Sequence, residues 1–251
     1  MSEAILSTSG LSRSFGGLTA VDGLSIEFHM RRIHAVIGPN GAGKSTFINL
    51  LSGDLPPSAG TIRFDGRDVT GLSADRVSQL GIGRSYQKTN IFPDFTAFEN
   101  CRLAAQSRLT SSMRFFRPAL RLSRVNDAAR AALDAVGLDG RAEVVASALS
   151  HGEQRQLEIA MVLATGPKVL LLDEPLAGMG AEESARMVAL LERLAREHAI
   201  VLVEHDMDAV FQLADRLTVM VNGRLLESGT PEEIRSSPAV QDAYLGTGEH
   251  D

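Results

Sequence analysis

Apolar residues along this chain come in short runs of two kinds. Near the start, Ile5-Leu6-Ser7 and Gly23-Leu24-Ser25-Ile26-Glu27-Phe28 alternate apolar and polar, are separated by glycine pairs such as Gly16-Gly17, and predict strands. Ile33-His34-Ala35-Val36-Ile37 is a run that ends in Gly38, the pattern of a strand buried on both faces. Val169-Leu170-Leu171-Leu172 and Ile200-Val201-Leu202-Val203 repeat that pattern. Elsewhere the spacing becomes helical. Phe47, Ile48, Leu50 and Leu51 share a face before Gly53, and residues 182–198 place Ala185, Val188, Leu191, Leu194 and Ala195 on one side. Residues 156–163 and 207–214 predict two shorter helices. Leu217-Thr218-Val219-Met220-Val221 and Arg224-Leu225-Leu226 flank Asn222-Gly223, a type I′ hairpin signal. Residues 88–164 are rich in Ala, Leu and Arg and read mostly helical. Buried strands separated by helices predict an α/β fold with a parallel sheet covered on both faces.

Composition narrows the class. The 251 residues are 44% apolar and 22% charged, as in a globular protein, and no apolar run reaches the roughly 18–20 residues of a membrane span. Met1-Ser2-Glu3-Ala4 has neither the basic start nor the apolar stretch of a signal peptide. One cysteine, Cys101, excludes an internal disulfide and a cysteine-rich metal site, and a reducing, cytoplasmic setting is expected. With 25 basic and 31 acidic residues the net charge is −6, which argues against nucleic acid as a partner.

The chemistry begins at Gly38-Pro39-Asn40-Gly41-Ala42-Gly43-Lys44-Ser45, which fits G-x-x-x-x-G-K-[ST] between a predicted strand and a predicted helix. Glycines let backbone N–H groups converge on phosphate oxygens, and the helix directs its positive end at the same anion. Lys44 is expected to reach the β- and γ-phosphates and Ser45 to ligate Mg²⁺. The strand at 169–172 runs into Asp173-Glu174-Pro175, placing a carboxylate suited to Mg²⁺ and a second one suited to orienting or deprotonating water. The expected ligand is a nucleoside triphosphate, and no Asn-Lys-x-Asp guanine reader occurs, which counts against a GTPase.

Three further features accompany the loop: Leu149-Ser150-His151-Gly152-Glu153-Gln154 ahead of a helix, Gln87 after Gly83-Arg84-Ser85-Tyr86, and His205 in Val203-Glu204-His205-Asp206-Met207. In this order they resemble the nucleotide-binding subunits of ABC transporters from end to end. Phe15-Gly16-Gly17-Leu18, Leu157-Glu158-Ile159-Ala160, Glu204-His205-Asp206-Met207 and Ala243-Tyr244-Leu245-Gly246 are similar to the ATPases of branched-chain amino acid importers, and the arginine-rich insert to the longer of their two kinds. Gln87-Lys88 and Gly178-Met179 also resemble the related urea-importer subunit.

The resemblance implies a single nucleotide-binding domain over 1–251. Residues 1–87 and 166–251 would form a P-loop (RecA-like), mostly parallel core with an N-terminal antiparallel β subdomain, and about 88–165 an inserted α-helical subdomain. It implies that Phe15 stacks on adenine, although a core phenylalanine also suits the sequence. The loop from Gly38 to Ser45, with Thr46 beside it, would hold phosphate. Asp173 would bind Mg²⁺ through water, and Gln87 would contact Mg²⁺ or the attacking water and report occupancy to the membrane subunits. Glu174 would be the general base, and His205 would grip the γ-phosphate, its alternative being a core histidine. Ser150, His151 and Gly152 would act in trans on ATP held by another ATPase. The implied reaction is ATP plus water to ADP plus phosphate, coupled to import. The implied partners are two transmembrane permease subunits, a second homologous ATPase or a second copy, and an external substrate-binding protein, at the cytoplasmic face of the inner membrane. Importers of urea, amides or aromatic acids and a non-transport ATP-dependent clamp are the alternatives.

The chain departs from the usual Leu-Ser-Gly-Gly-Gln at His151 and Glu153, and Glu153 would add charge near phosphate if it pointed inward. Leu176-Ala177-Gly178-Met179-Gly180 lacks the aspartate that many relatives carry there. Residues 106–126 hold Arg108, Arg114, Arg117, Arg121 and Arg124 without an acidic residue, suiting lipid headgroups, a permease loop, or a helix packed on its own subdomain.

Overall fold

The computed structural model describes residues 3–86, 90–108 and 123–245. Two sheets organise the chain. The first joins β1 (Leu6–Phe15), β2 (Leu18–Leu24), β3 (Glu27–Phe28), β5 (Ala59–Phe64) and β6 (Arg67–Asp68), paired antiparallel in the order β2-β1-β5-β6 with β3 beside β1. The stretch 23–28, predicted as one strand, is divided between β2, whose pairing with β1 ends at Leu24 opposite Leu11, and β3, which pairs with Leu6 and Ser7 of β1.

The second sheet runs in the order β11-β10-β4-β9-β8-β7, from β4 (Ile33–Ile37), β7 (Ile82–Arg84), β8 (Val169–Asp173), β9 (Ala199–Val203), β10 (Arg216–Val221) and β11 (Arg224–Gly229). All its pairs are parallel except the β10–β11 hairpin, whose Asn222 and Gly223 have φ 49 and 79, both positive as a type I′ turn requires. The uninterrupted apolar runs are explained by two cores. In β8, Leu170 and Leu172 join one cluster while Val169 and Leu171 join the other, and β4 and β9 alternate in the same way. One cluster takes in α3 (Ala97–Gln106), α4 (Ser123–Val136), α5 (His151–Ala164) and α6 (Ala181–Leu194); the other takes in the antiparallel sheet and α1 (Lys44–Leu51). The remaining helices are α2 (Ala74–Leu80), α7 (Met207–Leu213), α8 (Pro231–Ser236) and α9 (Pro238–Leu245).

Two helix boundaries differ from expectation. The helix predicted over 182–198 ends at Leu194, because the chain must turn to put Ala199 N–H on the Lys168 carbonyl (3.0 Å) and start β9. Its buried face is Met187, Val188, Leu190, Leu191 and Leu194, with Ala185 exposed. The helix predicted from 156 begins at His151, since Ser150 and Glu153 form a capping box that brings the preceding motif into the first turn.

Candidate active site

β4 delivers the chain at Gly38 and α1 takes it up at Lys44. Between them glycines are required by space as well as by φ. A Cβ on Gly38 (φ 151) would sit 2.1 Å from the Met220 carbonyl oxygen, and one on Gly43 (φ 95) 2.1 Å from that of Ala20. Both clashes are with backbone, so the loop cannot relax around a side chain. Gly223 N–H donates to the Ala42 carbonyl at 3.0 Å, and the Gly38 N–H to the Tyr244 hydroxyl, so the β10–β11 turn and α9 both brace the loop. α1 starts without a side-chain cap, leaving its first N–H groups available to an anion. Lys44 Nζ donates to the carbonyls of Gly38 (2.6 Å) and Pro39 (3.0 Å), and burial lowers its pKa against the opposing pull of Glu174 and Asp173. Ser45 is exposed and Thr46 half-buried.

β8 and β9 bring the other groups alongside. Asp173 ends β8 and is buried, which raises its carboxyl pKa although Arg84 Nη2 lies 3.7 Å away. Glu174 follows in the left-handed region at φ 51, turned off the strand axis, with its N–H on the Val203 carbonyl at 2.8 Å. His205, after β9, has Nδ1 3.8 Å from Glu174 Oε1 and a side chain 68% exposed, so it is not a core histidine. Phe15 is 44% exposed at the β1–β2 turn with the Arg13 guanidinium 4.7 Å over its ring, which removes the core alternative there too.

Ser150, His151 and Gly152 stand elsewhere, at the start of α5. Ser150 Oγ accepts from the Glu153 N–H (3.2 Å), and Glu153 returns a carboxylate oxygen to the Ser150 N–H (2.8 Å). Arg141 pairs with the same carboxylate at 3.0 Å. Partial burial opposes ionisation of Glu153, but the Ser150 N–H and Arg141 prevail and hold its pKa below the usual range. Its charge is thereby engaged in the helix cap. Ser150 and Gly152 line a cavity of about 390 Å³ with Gln156, Met179 and Glu183.

Gln87 lies outside the described residues, as do Arg114, Arg117, Arg121 and Gly246. Arg108, which is described, donates to the Ser78 and Gln79 carbonyls at 2.9 and 2.7 Å.

Several charged neighbours escape sequence reading. Arg84 pairs with Asp54 at 2.6 Å and stacks on Tyr86 at 4.6 Å. Arg155 and Glu158, paired at 3.0 Å and buried, hold the carbonyl and N–H of Tyr86, each at 3.0 Å. Asp54 lies 30 residues from Arg84, and Tyr86 lies 69 and 72 residues from Arg155 and Glu158, beyond any local motif. Glu204 had a local signal, a carboxylate directly after an apolar strand, like Asp173.

The profile of the family described as ABC transporter matches residues 21–177, and one described as branched-chain amino acid ATP-binding cassette transporter matches 224–250. The chain is 40% identical over 253 residues to the high-affinity branched-chain amino acid transport ATP-binding protein BraF of Pseudomonas aeruginosa, covering 98% of this chain and 99% of that protein. It is 38% identical to the corresponding LivG of Escherichia coli K12 over the same shares. Among solved structures, a nucleotide-free ATP-binding cassette from an ABC transporter superposes with a TM-score of 0.86 at 27% identity, over 96% of this chain and 99% of that one. Another cassette, in its ADP conformation, gives 0.86 at 28% identity over 98% and 100%.

Proposed function

The chain belongs to the ABC transporter family, and on that premise we propose that it hydrolyses ATP to power an importer of branched-chain or other hydrophobic amino acids. One observation carries the chemistry: Glu174 and His205 approach to 3.8 Å beside the phosphate loop, with Lys44 within electrostatic reach of Glu174 and Asp173.

In this reading the loop N–H groups from Gly38 through Gly43 and the start of α1 cradle the phosphates, with Pro39, Asn40, Gly41 and Ala42 supplying backbone. Lys44 exchanges its two carbonyl partners for phosphate oxygens. Glu174 orients a water against the γ-phosphorus and takes its proton as the bond to the bridging oxygen breaks. His205 holds the γ-phosphate, and Phe15 stacks on the adenine. The donors Ser45, Asp173 and Gln87 are all oxygen ligands, which suits Mg²⁺. No cluster of three His, Cys, Asp or Glu occurs among the described residues, so a cation here would share phosphate oxygens and water. Bound Mg²⁺ would neutralise charge on the β- and γ-phosphates.

Ser150, His151 and Gly152 act on ATP held by a second ATPase, so a lone chain turns over slowly. No helix among the described residues is long and apolar enough to cross a membrane. The proposal therefore puts the passage in two permease subunits, fed by an external binding protein, with this chain peripheral at the cytoplasmic face. The matches of residues 224–250 and of the whole chain to branched-chain amino acid transport proteins support that substrate class.

The test is co-purification of tagged Glu174→Gln with ATP and Mg²⁺ from detergent-solubilised membranes of its host. Recovery of two polytopic proteins and a second ATPase is the expected result, and their cognate binding protein should bind leucine, isoleucine or valine. Recovery only as a soluble homodimer, or with ribosomes or DNA, would replace the importer with a clamp.

A further inference from the structure

We propose that Glu204 is a positioning residue for ATP hydrolysis, holding His205 and the loop after Glu174 in register through one buried carboxylate. The inference rests on the role proposed above for His205. Glu204 is only 2% exposed, and a carboxylate deprived of water must find donors. It finds them in two different segments. Oε1 accepts from the Leu176 N–H at 2.7 Å, and Oε2 from the His205 N–H at 3.0 Å. The Asp206 backbone contributes a further hydrogen bond.

The same carboxylate also lies beside the imidazole. His205 Nδ1 is 3.7 Å from Glu204 Oε2 and 3.8 Å from Glu174 Oε1, so both carboxylates face the same edge of the ring. Nε2 is left for the exposed side, where a γ-phosphate would meet it. The other oxygen secures Leu176, two residues beyond Glu174. Together with Glu174 N–H on the Val203 carbonyl, this gives two ties between the segment after β8 and the end of β9. The loop secured this way has no carboxylate of its own from 176 to 180. Its Met179 lines the cavity shared with Ser150 and Gly152, and a Cβ on Gly178 would lie 3.4 Å from the His151 ring. Glu204 therefore anchors from beneath a loop that also faces the segment proposed to act in trans.

Glu204→Gln keeps the shape, but its amide nitrogen cannot accept a backbone N–H, so one of the two ties is lost. The full chain with its co-purified partners is assayed for ATP hydrolysis as wild type, Glu204→Gln, His205→Ala and the double variant. Melting temperatures monitor folding. Glu204→Gln is expected to lower kcat tenfold or more with KM for ATP within twofold of wild type, and the double variant to match His205→Ala. If Glu204→Gln fails to fold, Glu204→Asp, which keeps both acceptors but withdraws them by one methylene, carries the same expectation. Turnover within twofold of wild type, an effect confined to KM, or multiplying losses in the double variant would each overturn the proposal. Retained turnover in His205→Ala would instead overturn the role of His205 itself.

Discussion

Lowering the pH from 7 to 5 should cost this chain about 2 kcal/mol of stability through His34 alone. His34 lies in β4, the strand that carries the phosphate loop, and its pKa is lowered to about 3, chiefly by burial and further by the charges of Arg216 and His29 against a hydrogen bond to the Glu27 backbone. The sign follows from proton counting. In the unfolded chain the imidazole takes up a proton near pH 6.5, while the folded chain refuses it until about 3. Between those values the unfolded state binds the extra proton, so stability is complete above 6.5 and falls by roughly 1.4 kcal/mol per pH unit below it. Buried carboxylates with raised pKa, Glu158 and Glu204, change stability in the opposite direction, so a bare pH series mixes the two. Comparison with His34→Gln separates them, because Gln does not titrate and still reaches toward Thr218 Oγ1, now 2.7 Å from Nε2. The assay is urea unfolding at pH 7 and pH 5 for both proteins. Wild type should lose about 2 kcal/mol more than the variant across that interval. Equal losses would show that His34 is not a buried neutral imidazole.

Three other outcomes follow from the site. Glu174→Gln should retain nucleotide binding and lose turnover by about 10²–10⁴-fold, the usual contribution of a positioned base; near-normal phosphate release would remove Glu174 from that role. Tyr244→Phe deprives the Gly38 N–H of its acceptor and should raise KM for ATP several-fold, from a loss of about 1 kcal/mol, with unaltered KM showing that α9 does not brace the loop. Arg84→Met leaves Asp54 without its 2.6 Å partner and should lower urea-unfolding stability by about 1–3 kcal/mol, the range for losing a hydrogen bond to a charged group.

What the sequence revealed was whatever is local along the chain. The three apolar runs at β4, β8 and β9 are readable because strands buried on both faces need apolar residues at every position. The phosphate loop, Asp173-Glu174 and His205 are readable because each sits at the end of such a run. The spacing predicts α5 only from 156, although Ser150 and Glu153 carry the S-x-x-E spacing of a capping box that starts the helix at His151. The pattern predicts α6 through 198 because 195–198 stays helical in spacing, and only the pairing of Ala199 with Lys168 stops it. Arg84 with Asp54, and the Arg155–Glu158 pair on Tyr86, join distant segments, and no residue spacing announces a partner 30 or 72 positions away.

With Glu174 as the base proposed above, its left-handed backbone sets stability and turnover against each other at a single position. A side chain at φ 51 is strained by about 1–2 kcal/mol relative to glycine. A stability-driven redesign of this cassette, scoring backbone comfort alone, would therefore choose glycine at 174. It would produce a hardier protein that still closes on ATP and no longer spends it.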